Sequence, residues 1–358
     1  APANPQQVTD PEKFEEYLRD FDASTEQALL LPHHIGYRTG YRGVHWPSVT
    51  DKASPVVEIV SMHGLAEEDE SAFFPYMHTM GPLNGANTVQ AGLAAGHHFG
   101  FTGSTDHHAA HPGSYGYGRT GVWAEDLSRE SIWQALLDRR TYALTGDRIS
   151  LRFSVGGAPL GSQISLPPGP RRIEYEIRGG GAIDRVEVLK NNRVIHRQNG
   201  SPRPVEHLEN ESSISGLVYL EIGWGAKGRQ FDWELDVRVK DGTLAEVEPR
   251  LRGVDVVDPL DTSERPKHFS SWRRTSENGV HLATSTSGNA SPTTRQTQGL
   301  GLEIVGSPES EIIVDVNGSS FSVGLAHLAE SSQTFYVSGF ASPAIKLHRL
   351  ITAEERST

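Results

Sequence analysis

Cysteine is absent from the 358 residues. That removes disulfide frameworks, thiolate nucleophiles and Cys-rich zinc knuckles from consideration and leaves the compartment open. No apolar run approaches the roughly 20 residues that a membrane-spanning helix needs, so the chain reads as soluble, in periplasm or cytoplasm, with no membrane partner. Basic residues are few, 33 against 45 acidic, which gives a formal charge of −12. The basic face that displaces counterions from nucleic acid is therefore not expected. There is no P-loop, no H-E-x-x-H and no G-x-S-x-G. A hydrophobic content of 36% with 22% charge fits a globular protein, and the length suggests two or three domains. The chain opens on Ala1 without a signal-peptide pattern, which reads as a processed or truncated product.

What the chain does have is histidine, unevenly placed: ten of the sixteen lie between His33 and His111. In that region helix and strand patterns alternate. Asp10-Pro11 reads as a helix start, with Phe14, Tyr17, Leu18 and Phe21 at helical spacing. Short apolar runs end at Pro32-His33-His34, at Ser61-Met62-His63-Gly64, and, after Phe99–Phe101, at Asp106-His107-His108. Ser128 caps a predicted helix through Arg140 with Ile132, Trp133, Leu136 and Leu137 on its apolar face. Such alternation predicts parallel β/α units, in which functional side chains gather at the carboxyl ends of strands. One histidine at a strand end is ordinarily structural. Three in succession, one with an aspartate, favour a metal centre, because imidazole and carboxylate suit zinc, manganese or iron.

From Ile149 the pattern changes to period two. Ile173, Tyr175 and Ile177 alternate with charge, and "IDRVEVLKNNRVI" reads as a hairpin turning at Asn191-Asn192. Trp233, Leu235, Val237 and Val239 share one face before a predicted turn at Asp241-Gly242, and Asn317-Gly318 marks another. The expected organisation is a β/α unit over 1–148, a first antiparallel β domain over 149–245, a polar connection over 246–298 and a second β region over 299–358. Gly116-Tyr117-Gly118-Arg119-Thr120-Gly121 matches G-x-G-x-x-G but follows a loop, so turn glycines are the better reading than a dinucleotide fingerprint.

The segments "LLLPHHIGYRTGYRGVHW", "SPVVEIVSMHGLAEEDE", "GHHFGFTGSTDHHAAHPGSYGYG" and "LSRESIWQALLDRRTYALTGDRI" resemble, in order and spacing, the carboxyl-terminal half of a bacterial domain-of-unknown-function family, number 3604. That family is related to the PHP (polymerase and histidinol phosphatase) superfamily, and the resemblance covers residues 24–150. It implies a distorted β/α barrel with two or three divalent metal ions (Zn, Mn or Fe) at its mouth and phosphoester hydrolysis. Carried over by position, His33, Asp106 and His108 are the implied metal ligands, while His107 falls on a variable position. His63 is a candidate catalytic residue facing the same mouth. The amino-terminal H-x-H of the superfamily is absent.

The fold expected is therefore α/β plus β: a partial PHP-type barrel followed by antiparallel β-sandwich-like domains. The expected activity is that of a metal-dependent phosphoesterase using activated water on a small anionic substrate. Arg38 and Arg119 are candidates to grip that substrate. The missing front of the barrel would come from a separate chain, a homo-oligomer partner, or be lost. A non-catalytic glycan- or ligand-binding protein and an amide hydrolase are the alternatives.

Overall fold

The computed structural model describes residues 28–68, 83–106, 115–200, 212–226, 228–253, 270–288, 296–338 and 343–357. The helix expected over Asp10–Phe21 and the site residue His108 lie outside the described residues. The chain divides into two compact units. The first draws on the described residues up to Asp106 with 117–177 and 187–197; the second draws on 115–116, 178–186 and the described residues beyond 197.

In the first unit, β1 (Val56–Ser61) is buried along almost its whole length, as its unbroken apolar run requires of a parallel strand. It turns through Met62-His63 into β2 (Gly64–Leu65). The chain then crosses through α1 (Val89–Ala94), capped by the Thr88 hydroxyl accepting from Ala91 N–H, into β3 (Gly100–Gly103). β3 lies parallel to β1, pairing Val57 with Phe101 and Glu58 with Thr102. Ile35, Trp46, Val57, Ala66, Val89 and Phe99 form the core of this layer, with Trp46 stacked on Phe99. β4 (Arg119–Val122), α2 (Arg129–Leu137) and β5 (Thr141–Leu144) follow, β4 and β5 pairing antiparallel and Ser128 capping α2. β6 (Ser150–Val155), β7 (Ala158–Pro159) and β8 (Ile173–Arg178) form a three-stranded sheet ordered β7-β6-β8. β9 (Arg185–Lys190) and β10 (Arg193–Asn199) form a ribbon turning at Asn191 and Asn192, both at positive φ.

The expected barrel is not there. A closed barrel needs every strand flanked on both sides. Among the described residues the one strand pairing with a defined parallel register is β1 with β3, and its three-stranded sheet ends at the two-residue antiparallel strand β2. The apolar run Ala28–Leu31 forms no strand; Leu30 N–H reaches Ala53 O and Pro32 O receives Glu58 N–H as isolated bonds. The remaining sheets are open, and where strand pairings are defined they are antiparallel.

The second unit is one nine-stranded sheet. Its strands are β11 (Ile214–Gly223), β12 (Gln230–Pro249), β13 (Ser271–Ser276), β14 (Gly279–Ser287), β15 (Thr297–Val316), β16 (Ser319–Gly324), β17 (Gln333–Tyr336), β18 (Ala344–Leu347) and β19 (Ile351–Thr352), with α3 (Leu325–Glu330) between β16 and β17. The main path runs β13-β14-β12-β15-β11-β18-β17. Strands from both expected β regions join this sheet, and the stretch read as a polar connection supplies β13 and β14. Trp233, Leu235, Val237 and Val239 are all buried in its core. Asp241-Gly242 makes no turn: Asp241 sits at φ 56° in a bulge, and β12 continues to Pro249 against β15.

Candidate metal centre

Parallel pairing puts the carboxyl ends of β1 and β3 side by side, and the site is built there. Ser104 N–H bonds Val60 O at 3.0 Å, so the chain leaving β3 is held against the end of β1. Gly118 makes that close approach possible. A Cβ on it would lie 2.5 Å from both Val60 O and Ser104 O, so this glycine of the G-x-G-x-x-G run serves packing.

Asp106 follows β3 with a left-handed backbone, φ 47°. Its Oδ2 lies 3.1 Å from His63 Nε2, 3.2 Å from His34 Nε2 and 3.5 Å from His33 Nε2. That oxygen is buried and accepts no hydrogen bond from any of the three rings. His63 sits on the β1–β2 turn, and His34 is aimed inward by its own left-handed backbone, φ 57°. The His33 and His34 ring centroids are 3.5 Å apart.

Glu58 completes the arrangement from within β1, only 5% exposed. Its Oε1 meets His33 Nδ1 at 2.7 Å, and its Oε2 accepts a short hydrogen bond from the Ser104 hydroxyl. Two triads result, His33–His34–Glu58 and His34–His63–Asp106, the ligand atoms of each within 4.8 Å of one another. The donors are imidazole nitrogens and carboxylate oxygens, the set that borderline divalent cations take. An unbonded buried carboxylate oxygen facing converging imidazoles is costly without a cation between them, so the residues fit a metal.

Electrostatics separates the two adjacent histidines. Burial, with repulsion from His33 second, brings His34 down to about 4, so it is a neutral imidazole at pH 7, the form that ligates. Burial also acts to lower His33. The hydrogen bond and charge of Glu58, with Asp106, outweigh it and leave His33 raised.

The structure thus brings His33, Asp106 and His63 together. His34 and Glu58 were not singled out from sequence. His34 was visible only as the neighbour of His33, whereas Glu58 carried a signal: it is the one charged residue in "VVEIV", and a carboxylate buried in an apolar strand needs a partner. Arg119 opens β4, whose backbone passes against Gly103. Arg38 is exposed, in a turn where its carbonyl accepts from Tyr41 and Gly43 N–H.

Residues 61–164 match the family described as Protein of unknown function (DUF3604). The chain is also similar to an uncharacterized protein of Chlamydia trachomatis serovar D, 32% identical over an alignment of 156 residues, with 39% of this chain and 25% of that protein covered. Uncharacterized proteins of Chlamydia muridarum and Chlamydia pneumoniae are 31% and 30% identical, over the same shares of each chain. The chain spans about a quarter of the length of these curated relatives. No solved structure matches it. No described helix is long and apolar enough to cross a membrane.

Proposed function

We propose that the chain carries the metal centre of a metal-dependent hydrolase of the PHP type, acting on phosphoesters. The observation that carries this reading is Asp106 Oδ2, buried, unbonded and surrounded by the Nε2 atoms of His33, His34 and His63. His34, His63 and Asp106 would hold a cation, with His33 presenting Nε2 to the same carboxylate and Glu58 orienting His33 from behind. Bound there, a divalent cation supplies Lewis acidity and water of lowered pKa.

The chain's own groups do the positioning. Glu58 accepts the His33 Nδ1 proton, which fixes the ring so that Nε2 faces Asp106. Ser104 holds Glu58 in turn. His34, kept neutral by burial, offers a lone pair with no proton to displace. Arg119 is the candidate grip for the substrate's negative charge from the β3 side, and Arg38 from the turn after His34.

The test is direct. The purified chain, dialysed against zinc or manganese and then metal-free buffer, is analysed by plasma mass spectrometry and assayed for release of 4-nitrophenol from its phosphate ester. Retained metal and chelator-sensitive turnover, both lost in Asp106→Asn, are expected. A folded protein that keeps no metal would end the proposal.

A further inference from the structure

A pocket of about 250 Å³ opens beside the metal centre, and His33 belongs to both. Leu30, Pro32, Val44, Val49 and Ala53 form its other walls, and no Lys, Arg, Asp or Glu lines it. The polar side chains on its rim are turned into the local fold. The Ser48 hydroxyl donates to His45 O at 2.8 Å, and the Thr50 hydroxyl accepts from Ala53 N–H at 3.3 Å. His45, whose Nδ1 lies 3.1 Å from the Ser48 hydroxyl, and Ser54 also line it, so the surface left to a ligand is mostly carbon, with the His33 and His45 imidazoles as its larger polar groups.

We infer that this pocket receives the apolar group of the substrate, about the size of a single ring, while the anionic group lies at the metal centre; this rests on the phosphoester reading above. The substrate class it defines is the ester of a small phenol or ring-sized apolar alcohol. Size and charge both point there. An apolar cavity of about 150 Å³ takes benzene, so this one holds a ring with a small substituent. A drug-sized or nucleoside group needs roughly 300–1,000 Å³ and polar partners to orient it. No Lys or Arg lines the pocket to pair with a second phosphate, and its polar groups are two imidazoles and a few hydroxyls among aliphatic walls, too few to match the ring of hydroxyls on a sugar.

Ala53 is the residue through which to test this. Its backbone, not its methyl group, makes the bonds to Leu30 and Thr50. Metal-loaded protein is titrated calorimetrically with phenylphosphonate and with methylphosphonate. Phenylphosphonate is expected to bind at least about tenfold tighter, the gain a ring makes on entering a matched apolar pocket. Ala53→Val should narrow that ratio and Ala53→Phe bring it near one, with metal content and melting temperature kept. The Val variant serves if the Phe variant does not fold. A ratio near one in the unaltered protein, or a ratio that a folded Ala53→Phe protein preserves, overturns the inference. Where neither phosphonate binds, saturation-transfer NMR with phenol separates the two ideas. Transfer that disappears in Ala53→Phe supports the pocket and removes the phosphoester reading; no transfer at all removes the pocket.

Discussion

His33 and Glu58, 25 positions apart in the chain, meet at 2.7 Å through Nδ1 and Oε1. The contact ties the loop before β1 to the interior of β1 itself and settles which face of the imidazole looks toward Asp106. Orienting carboxylates of this kind sustain the affinity of the ligands they hold. Glu58→Gln should therefore weaken zinc binding by about 10- to 100-fold, while Asp106→Asn should weaken it further. Competition against a fluorescent chelator measures both, and an unchanged constant in Glu58→Gln would remove Glu58 from the centre.

The left-handed backbone of His34 makes a separate claim about stability. At φ 57° a side chain with a Cβ costs about 1–2 kcal/mol. His34→Gly and His34→Ala both delete the ligand, so both should lose metal. In metal-free urea unfolding, however, the glycine variant is expected to be the more stable by about 1 kcal/mol. Equal stabilities would mean that the kink relaxes freely.

Gly118 answers for the close approach of the strand ends. Its substitution by alanine sets a Cβ 2.5 Å from two carbonyl oxygens that belong to backbone. The loop must move, at a cost of about 1–3 kcal/mol, and Ser104 moves with it. Thermal unfolding should show the loss, and metal affinity should fall although no ligand is altered. A variant with the original melting temperature would show that the loop has room to shift.

In the nine-stranded sheet, Glu221 predicts an acid limb. Burial acts to raise its carboxyl, but the hydrogen bond from His348 at 2.9 Å, with Thr297 and Arg252, leaves it below the usual 4.5. A carboxylate with a depressed folded pKa stabilises above its unfolded value, and that stability drains away as pH falls through the folded one. Glu221→Gln should therefore cost about 1–3 kcal/mol near neutrality and flatten the decline below pH 4.5. Melting curves taken from pH 6 to pH 3 make the comparison. Parallel curves for the two proteins would exclude Glu221 as the source.

Legibility in the sequence followed the strength of the local signal. Asn191-Asn192 and Asn317-Gly318 take positive φ as two-residue turns should, and the buried face Trp233–Val239 keeps strict alternation. The ends of β1 and β3 were readable because an apolar run stops at His63 in one case and Asp106 in the other. β14 was hidden. Its buried positions Thr284, Ser285 and Thr286 are hydroxyl-bearing, one of them accepting the Trp233 indole N–H at 2.8 Å. A polar composition there meant satisfied core, not loop. The barrel was implied by the family resemblance; the alternating elements predict only parallel β/α units, and alternation says nothing about how many parallel neighbours a strand finds. Only β1 and β3 found each other.

β11 is the earliest strand of the large sheet, yet its partners on both sides come late. Leu220 pairs with Leu300 in β15 and with Leu347 in β18, and the Glu221–His348 contact spans 127 positions. A nascent chain emerging in order would present β11 with neither neighbour until those residues left the ribosome. Loops of that length must close before any pairing is repaid, which places this sheet among slow folders. Its apolar face would need shielding in the interval. For this half of the molecule, then, the timing of synthesis is part of the folding problem: translation paused ahead of residue 300 holds β11 without either of its permanent neighbours.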